Sequence, residues 1–266
     1  MYKRLSAVLY CLGLVIGGLC VPRSAEASNA QLVAFEDANA AIRDQLSRSD
    51  SPAPSMTDPA YAKHVSEAFN VRVVKDSKNL PIPAVLDLCS EVVKTEVAYT
   101  QRGLKRSDVV GTTPQAAAAR TVELANENSL KFQDEIALAL RFSAACMALE
   151  ATQMTAFAKQ LKPDDMTPAR RAGFAQIQRG LVQIVSGIAI SQLDPVRPVN
   201  RQIMLDALAD NIGPLAAAMT KASRESSLPA IDEVLSSQSL SQDSRAKLIA
   251  IRQALSRPEC IGLCAI

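Results

Sequence analysis

The sequence contains few aromatic residues and few glycines. Its 266 residues include no tryptophan, four tyrosines, six phenylalanines and ten glycines. Alanine and leucine are abundant instead, and the β-branched residues mostly recur at helical spacing. This composition predicts an all-α protein, either a multi-helix bundle or an orthogonal array of about seven to nine helices.

The sequence also lacks the motifs of common cofactor and metal sites. It has no glycine-rich phosphate loop, dinucleotide fingerprint, haem-attachment motif or calcium-loop spacing. The only histidine, His64, could act as a general base beside Tyr61 and Glu67, but a surface histidine in a local ion pair is the interpretation we favour. We therefore assign no catalytic residue, no metal site and no cofactor.

The N-terminus resembles a secretory signal peptide. A basic start at Lys3 and Arg4 precedes an apolar run over residues 5–21, and Ala25-Glu26-Ala27 is a small-x-small cleavage signature. The sequence therefore predicts a signal peptide over residues 1–27 and a secreted or periplasmic protein that begins at Ser28. An uncleaved anchor helix is the alternative, because the apolar run is close to the minimum length for a bilayer.

The rest of the chain has little excess charge. The formal net charge of +2 disappears once residues 1–27 are removed, which leaves 26 basic and 26 acidic residues. A neutral chain without a basic cluster argues against a nucleic-acid partner. The longest later apolar run, residues 181–190, is too short to span a membrane.

Four cysteines remain after the signal segment, namely Cys89, Cys146, Cys260 and Cys264. An even number in an exported chain predicts disulfides, and four cysteines allow three connectivities. We favour Cys89–Cys146, which would contribute about 4 kcal/mol in the chain-entropy model, together with Cys260–Cys264, which would contribute about 2 kcal/mol. A redox or metal-binding role for the Cys260–Cys264 pair is the alternative.

Capping residues, prolines and glycines predict the helix boundaries. Asp58-Pro59, Thr113-Pro114 and Thr167-Pro168 each place a capping side chain before a proline that suits a first helical turn. Residues 71–81 are predicted as a loop, and Gly213-Pro214 as a turn or kink. The predicted helices span about residues 29–47, 59–70, 83–103, 114–161, 168–194, 200–212, 215–222, 229–235 and 242–255.

The segment from Pro114 to Leu161 is too long for one straight helix. It would measure about 72 Å, whereas a domain of this size is roughly 45 Å across. We therefore expect a break at Asn126–Ser129. The part over Ile136–Leu149 is apolar on nearly every side and is predicted to be central. Residues 162–167 are a possible internal boundary within one domain of residues 28–266.

Glycine recurs every seven residues in the helix predicted after Pro168. Gly173, Gly180 and Gly187 lie along an apolar stripe of this helix. Three glycines inside a helix cost roughly 3 kcal/mol relative to alanine. We therefore expect a second helix to pack closely on this face and place the glycine helix at the centre. Self-association through the stripe is an alternative.

Arg141 is the only charged residue between Ile136 and Leu149. A guanidinium in an apolar helix requires an acidic partner or an anionic ligand, unless its side chain reaches water. Glutamates on neighbouring segments could provide the partner, the candidates being Glu91, Glu96, Glu135 and Glu150. If the polar face of the glycine helix points inward, Arg179 and Gln183 would join Arg141 around a carboxylate.

These observations favour an exported, non-catalytic interaction or structural module. Its partner would be an unidentified protein or a second copy of the chain. The alternative is a small, cofactor-independent helical-bundle enzyme, or a binding protein for an anionic metabolite that uses Arg141. Convergence of Arg141, Arg179 and Gln183 on one pocket would favour this alternative.

Overall fold

The protein is a bundle of α-helices, as the composition predicts. The structure, a computed structural model, describes residues 30–48, 50–110 and 113–257, and these contain no β-strand. Their helices are α1 (Ala30–Ser47), α2 (Ala62–Ala68), α3 (Val71–Asp76), α4 (Ile82–Thr100), α5 (Arg106–Val109), α6 (Pro114–Lys131), α7 (Gln133–Ala158), α8 (Pro168–Ser191), α9 (Pro198–Ala218), α10 (Lys221–Leu235) and α11 (Gln242–Leu255). Nine of them have seven residues or more. No described helix is long and apolar enough to cross a membrane.

Threonine and serine side chains begin several helices, as their positions predict. The Thr113 hydroxyl accepts a hydrogen bond from the backbone N–H of Ala116 at 3.2 Å, and Pro114 occupies the first turn. Thr167 begins α8 in the same way, and Ser241 begins α11. Each hydroxyl satisfies a backbone donor that the helix itself leaves unpaired.

Helix α7 lies at the centre, and its interface with α9 is the most extensive between any two described helices. Most residues of the predicted central segment, Ile136–Leu149, are buried, and one face, which includes Arg141, Ala145 and Leu149, is partly exposed. The Phe142 ring stacks on that of Phe35 in α1, with centroids 5.3 Å apart. The main core contains buried residues of α1, α4 and α7, which precede residues 162–167, and of α8 to α11, which follow them.

The break between α6 and α7 occurs at Phe132, so the predicted position of Asn126–Ser129 is wrong. The polar residues there stabilise the helix instead of ending it. The buried Asn128 side chain donates hydrogen bonds to the carbonyls of Thr100 and Arg102, and Ser129 donates to Ala125. Phe132 leaves helical geometry, and its ring packs on Tyr99 with centroids 5.3 Å apart.

Three local predictions fail because helices continue where breakers were expected. Residues 71–76 are helical although the segment 71–81 was predicted as a loop. Helix α9 passes through Pro214, and α10 begins at Lys221 and passes through Pro229. A proline removes one intrahelical hydrogen bond, and burial of Leu215, among others, offsets that loss.

The glycine helix α8 packs chiefly on α10, so it lies beside the central α7–α9 pair and not within it. A Cβ on the buried Gly180 would stand 3.3 Å from the Met147 Cε atom of α7. Gly173 is exposed with open space around its Cβ position, and Gly187 is partly exposed. Close packing is therefore established at Gly180, where the neighbour belongs to the same chain, and does not extend to Gly173.

The predicted Cys89–Cys146 disulfide is confirmed and joins α4 to α7. Its S–S distance is 2.08 Å and its sequence separation is 57. The predicted pair Cys260–Cys264 and the predicted signal peptide, residues 1–27, lie outside the described residues.

Candidate functional site

The structure does not bring the three predicted ligand-binding residues together. Arg179 and Gln183 line one cleft, between α8 and the start of α10. Arg141 lines another, between α3, α7 and α9. A single anion therefore does not contact all three side chains, because they line two separate clefts.

The Arg179 cleft has a volume of about 620 Å³. Its buried polar side chain, Gln178, is fully used by the fold. Gln178 Nε2 donates to the Ala218 carbonyl at 2.6 Å, and its Oε1 accepts from the Thr220 N–H at 2.8 Å. Arg179 is exposed. The polar groups of this cleft thus link α8 to the α9–α10 corner and leave little that calls for a ligand.

The Arg141 cleft is larger, about 1050 Å³, and combines an apolar floor with charged walls. Alanine and leucine residues of α7 form the floor with Ile203 and Ala207 of α9. Four cationic side chains line the cleft, namely Arg72, Lys75, Lys78 and Arg141. The arrangement suits a ligand that has both a charged group and an apolar part.

Arg141 itself is partly buried and has no acidic partner in the part of the chain that the structure describes. Its Nε lies out of contact with solvent and donates no hydrogen bond to any described residue, and burial lowers the pKa of its guanidinium. Among the described residues, no carboxylate lies within 4.0 Å of it. A buried donor without an acceptor costs free energy that an anionic ligand would recover.

Two of the glutamates predicted as partners for Arg141 are engaged elsewhere. Glu91 pairs with Arg43 at 2.6 Å and with Lys94 at 2.7 Å, and these cations lower its pKa against the opposing effect of its burial. Glu135 accepts hydrogen bonds from Ser55 and from the Met56 N–H. Glu96 is buried, and neither of its carboxyl oxygens forms a hydrogen bond with a described residue.

The three other cations of this cleft are also unpaired within the described part of the chain. Arg72 and Lys75 lie on α3, and Lys78 follows it, all exposed at the rim. By contrast, Arg197 pairs with Asp134 and Arg252 with Asp232 elsewhere on the surface. The accumulation of unpaired positive charge at one cleft favours anions there.

Helix α9 brings two aspartates to the opposite wall. Asp206 is neutralised, because its Oδ1 accepts from Lys247 Nζ at 2.5 Å and from Gln202 Nε2 at 2.7 Å. Asp210 is exposed and makes no hydrogen bond or ion pair with any described residue. The cleft therefore has unpaired charges of both signs.

Covalent and polar links hold the walls in place. Asn70 caps α3 by accepting from the Arg72 N–H at 3.1 Å, and Gln153 of α7 donates to the Leu80 carbonyl at 2.9 Å. The disulfide fixes α7 one turn beyond Arg141. The bond from Gln153 and the packing of α3 on α7 set the position of α3, which carries two of the cations.

Among the described residues, the side chains that line the cleft include no histidine, cysteine or serine. His64 is exposed on α2 and does not line it. Within residues 30–48, 50–110 and 113–257, no three His, Cys, Asp or Glu side chains are grouped as metal ligands would be. Thr152, which does line the cleft, donates its hydroxyl to the Ala148 carbonyl.

Sequence reasoning found Arg141 but missed Arg72, Lys75, Lys78 and Asp210. The first three were missed because their segment was predicted as a loop. The three-residue spacing of Arg72 and Lys75 is a signal that could have revealed them, since such residues share one face of a helix. Asp210 became relevant only through the packing of α9 on α7.

Comparison with protein-family models, with characterised proteins and with solved structures finds no match for this chain.

Proposed function

We propose that this protein is exported and binds an anionic ligand with an apolar part, without catalysing a reaction on it. The observation that carries the proposal is the desolvated Nε of Arg141, in a cleft with three further cations, where none of the four pairs with an acidic side chain among the described residues. Hydrogen bonds from a guanidinium to a carboxylate are among the stronger ones in proteins, which suits Arg141 to be the principal contact.

Export is supported by the pattern of residues 1–27 and by the Cys89–Cys146 disulfide, since such bonds persist in oxidising compartments. Binding is preferred to catalysis because the side chains that line the cleft include no histidine, cysteine or serine. The apolar floor contributes affinity in proportion to the ligand surface that it covers.

The test compares two ten-carbon probes by isothermal titration calorimetry, the anion decanoate and the neutral alcohol 1-decanol. We expect the wild-type protein to bind decanoate more tightly than decanol. Arg141→Gln should weaken decanoate binding by about 10- to 100-fold, because a charge-assisted hydrogen bond contributes about 1.5–3 kcal/mol. Arg141→Lys should retain part of the affinity.

Arg179→Gln is the matched control, because Arg179 is an exposed arginine in the other cleft. It should leave decanoate affinity within about twofold of wild type, the range expected for a residue outside the site. Equal decanoate affinity for wild type and Arg141→Gln, or an equal loss in both arginine variants, would contradict the proposal.

A further inference from the structure

The walls of the Arg141 cleft carry unpaired charges of opposite sign. Arg141, Arg72 and Lys75 provide positive charge on α7 and α3, and Asp210 provides negative charge on α9. These groups do not pair with one another across the cleft at 4.0 Å or less. The cations and the Asp210 carboxylate are therefore farther apart than the groups of an ion pair. A ligand with a carboxylate at one end and a cation at the other would pair with both.

Pro214 leaves the backbone carbonyl of Asp210 without its usual helical donor. It lies inside α9 and has no N–H, so it cannot form the helical hydrogen bond to the carbonyl of residue 210, four positions earlier. Pro214 also lines the cleft. The Asp210 backbone carbonyl and carboxylate are both acceptors, and an ammonium group has three N–H donors for them.

The packing of α7 and α9 gives the approximate distance between the backbones of Arg141 and Asp210. The helices begin side by side, since Asn200 Nδ2 lies 2.7 Å from Asp134 Oδ1. The same offset places Arg141 level with Ala207, and Asp210 is three residues, or about 4.5 Å, further along. With packed axes 8–10 Å apart, the two backbones are about 10 Å apart at these residues.

We propose that the ligand is a short apolar peptide with free ends. Its carboxylate would bind Arg141 and its ammonium group Asp210, while its side chains cover the alanine and leucine floor. Three extended residues span about 10 Å, a length similar to the distance between the two backbones. A zwitterionic lipid headgroup fits less well, because its charges lie together at one end. This inference rests on the proposed anion-binding function and adds the ammonium site.

Trileucine and its end-blocked forms test the inference by calorimetry. Wild type should bind trileucine about tenfold more tightly than acetyl-trileucine, which lacks the ammonium charge. Asp210→Asn should abolish this difference and leave the affinity for acetyl-trileucine unchanged. Arg141→Gln should weaken the binding of trileucine and acetyl-trileucine, which both have a free carboxylate. It should leave the affinity for trileucine amide, which lacks that carboxylate, unchanged.

Asp164→Asn, at an exposed aspartate beyond the end of α7, is the control and should retain the wild-type preference. Equal binding of trileucine and acetyl-trileucine, or a preference that survives in Asp210→Asn, would overturn the inference. If decanoate binding still depends on Arg141 in that case, the peptide inference alone has failed. If decanoate binding does not depend on Arg141, the proposed function itself has failed.

Discussion

At the residue scale, the carboxyl group of Glu96 stands out. Glu96 is 1% exposed on α4, and neither of its oxygens has a hydrogen-bond partner among the described residues. Burial raises its pKa from 4.5 to about 8. The folded protein therefore holds this group protonated at neutral pH, because a buried carboxylate without a partner is costly.

This shift makes stability depend on pH. Between pH 4.5 and about 8, folded Glu96 keeps a proton that the unfolded chain releases. The free energy of unfolding should therefore fall as pH rises through this window, by up to about 1.4 kcal/mol per pH unit, and level off outside it. Burial also raises the pKa of Glu150 to about 8 and that of Asp194 to about 6, so both add to the same trend.

Glu96→Gln should reduce this dependence, because the amide does not titrate. Urea unfolding between pH 5 and pH 8 measures it, and the slope of unfolding free energy against pH is the readout. The exposed Glu127→Gln on α6 is the control and should keep the wild-type slope. Identical slopes for wild type and Glu96→Gln would refute the protonated state.

At the scale of elements, the glycines of α8 have different roles despite their regular spacing. Gly173→Ala should stabilise the protein by about 0.5–1 kcal/mol, because a Cβ meets only open space and alanine favours the helix. Gly180→Ala should gain less, since its Cβ would displace the end of Met147, 3.3 Å away. Thermal or urea unfolding measures both. An equal gain from the two variants would show that Gly180 is not tightly packed.

The helix ends also show which local signals are reliable. Thr113 and Thr167 were correctly predicted as caps, because a hydroxyl reaches the nearby N–H groups whatever the rest of the chain does. Pro214 was predicted at a turn or kink and Pro229 at the start of a helix. Both lie inside longer helices, because a helix supported by tertiary contacts tolerates the loss of one hydrogen bond. Helix α3 was predicted as a loop for a similar reason, because its helical structure depends on packing against distant parts of the chain.

At the scale of the whole molecule, the buried disulfide joins two segments far apart in the chain. Replacing Cys89 and Cys146 together by alanine should lower the free energy of unfolding by about 3–5 kcal/mol, because the unfolded chain regains the freedom of a long loop. Urea unfolding provides the measurement. The Cys260→Ala/Cys264→Ala variant is the comparison, with an expected loss of about 2 kcal/mol for the short predicted loop. A larger loss of unfolding free energy in this second variant than in the variant of Cys89 and Cys146 would contradict the prediction that the longer loop contributes more.

The sequence by itself determined the helical class, several helix starts and the Cys89–Cys146 pairing, and it singled out Arg141 as a charge within an apolar helix. The helical class follows from composition, and the helix starts follow from hydrogen bonds between residues a few positions apart. The disulfide could be predicted because only four cysteines remain after the signal segment. The tertiary structure decided that Arg141 and Arg179 lie in different clefts, that Gly180 but not Gly173 is packed, and that Asp210 faces the cations of α3. Such contacts depend on how helices cross and which faces they bury, and neighbouring residues in sequence do not specify that.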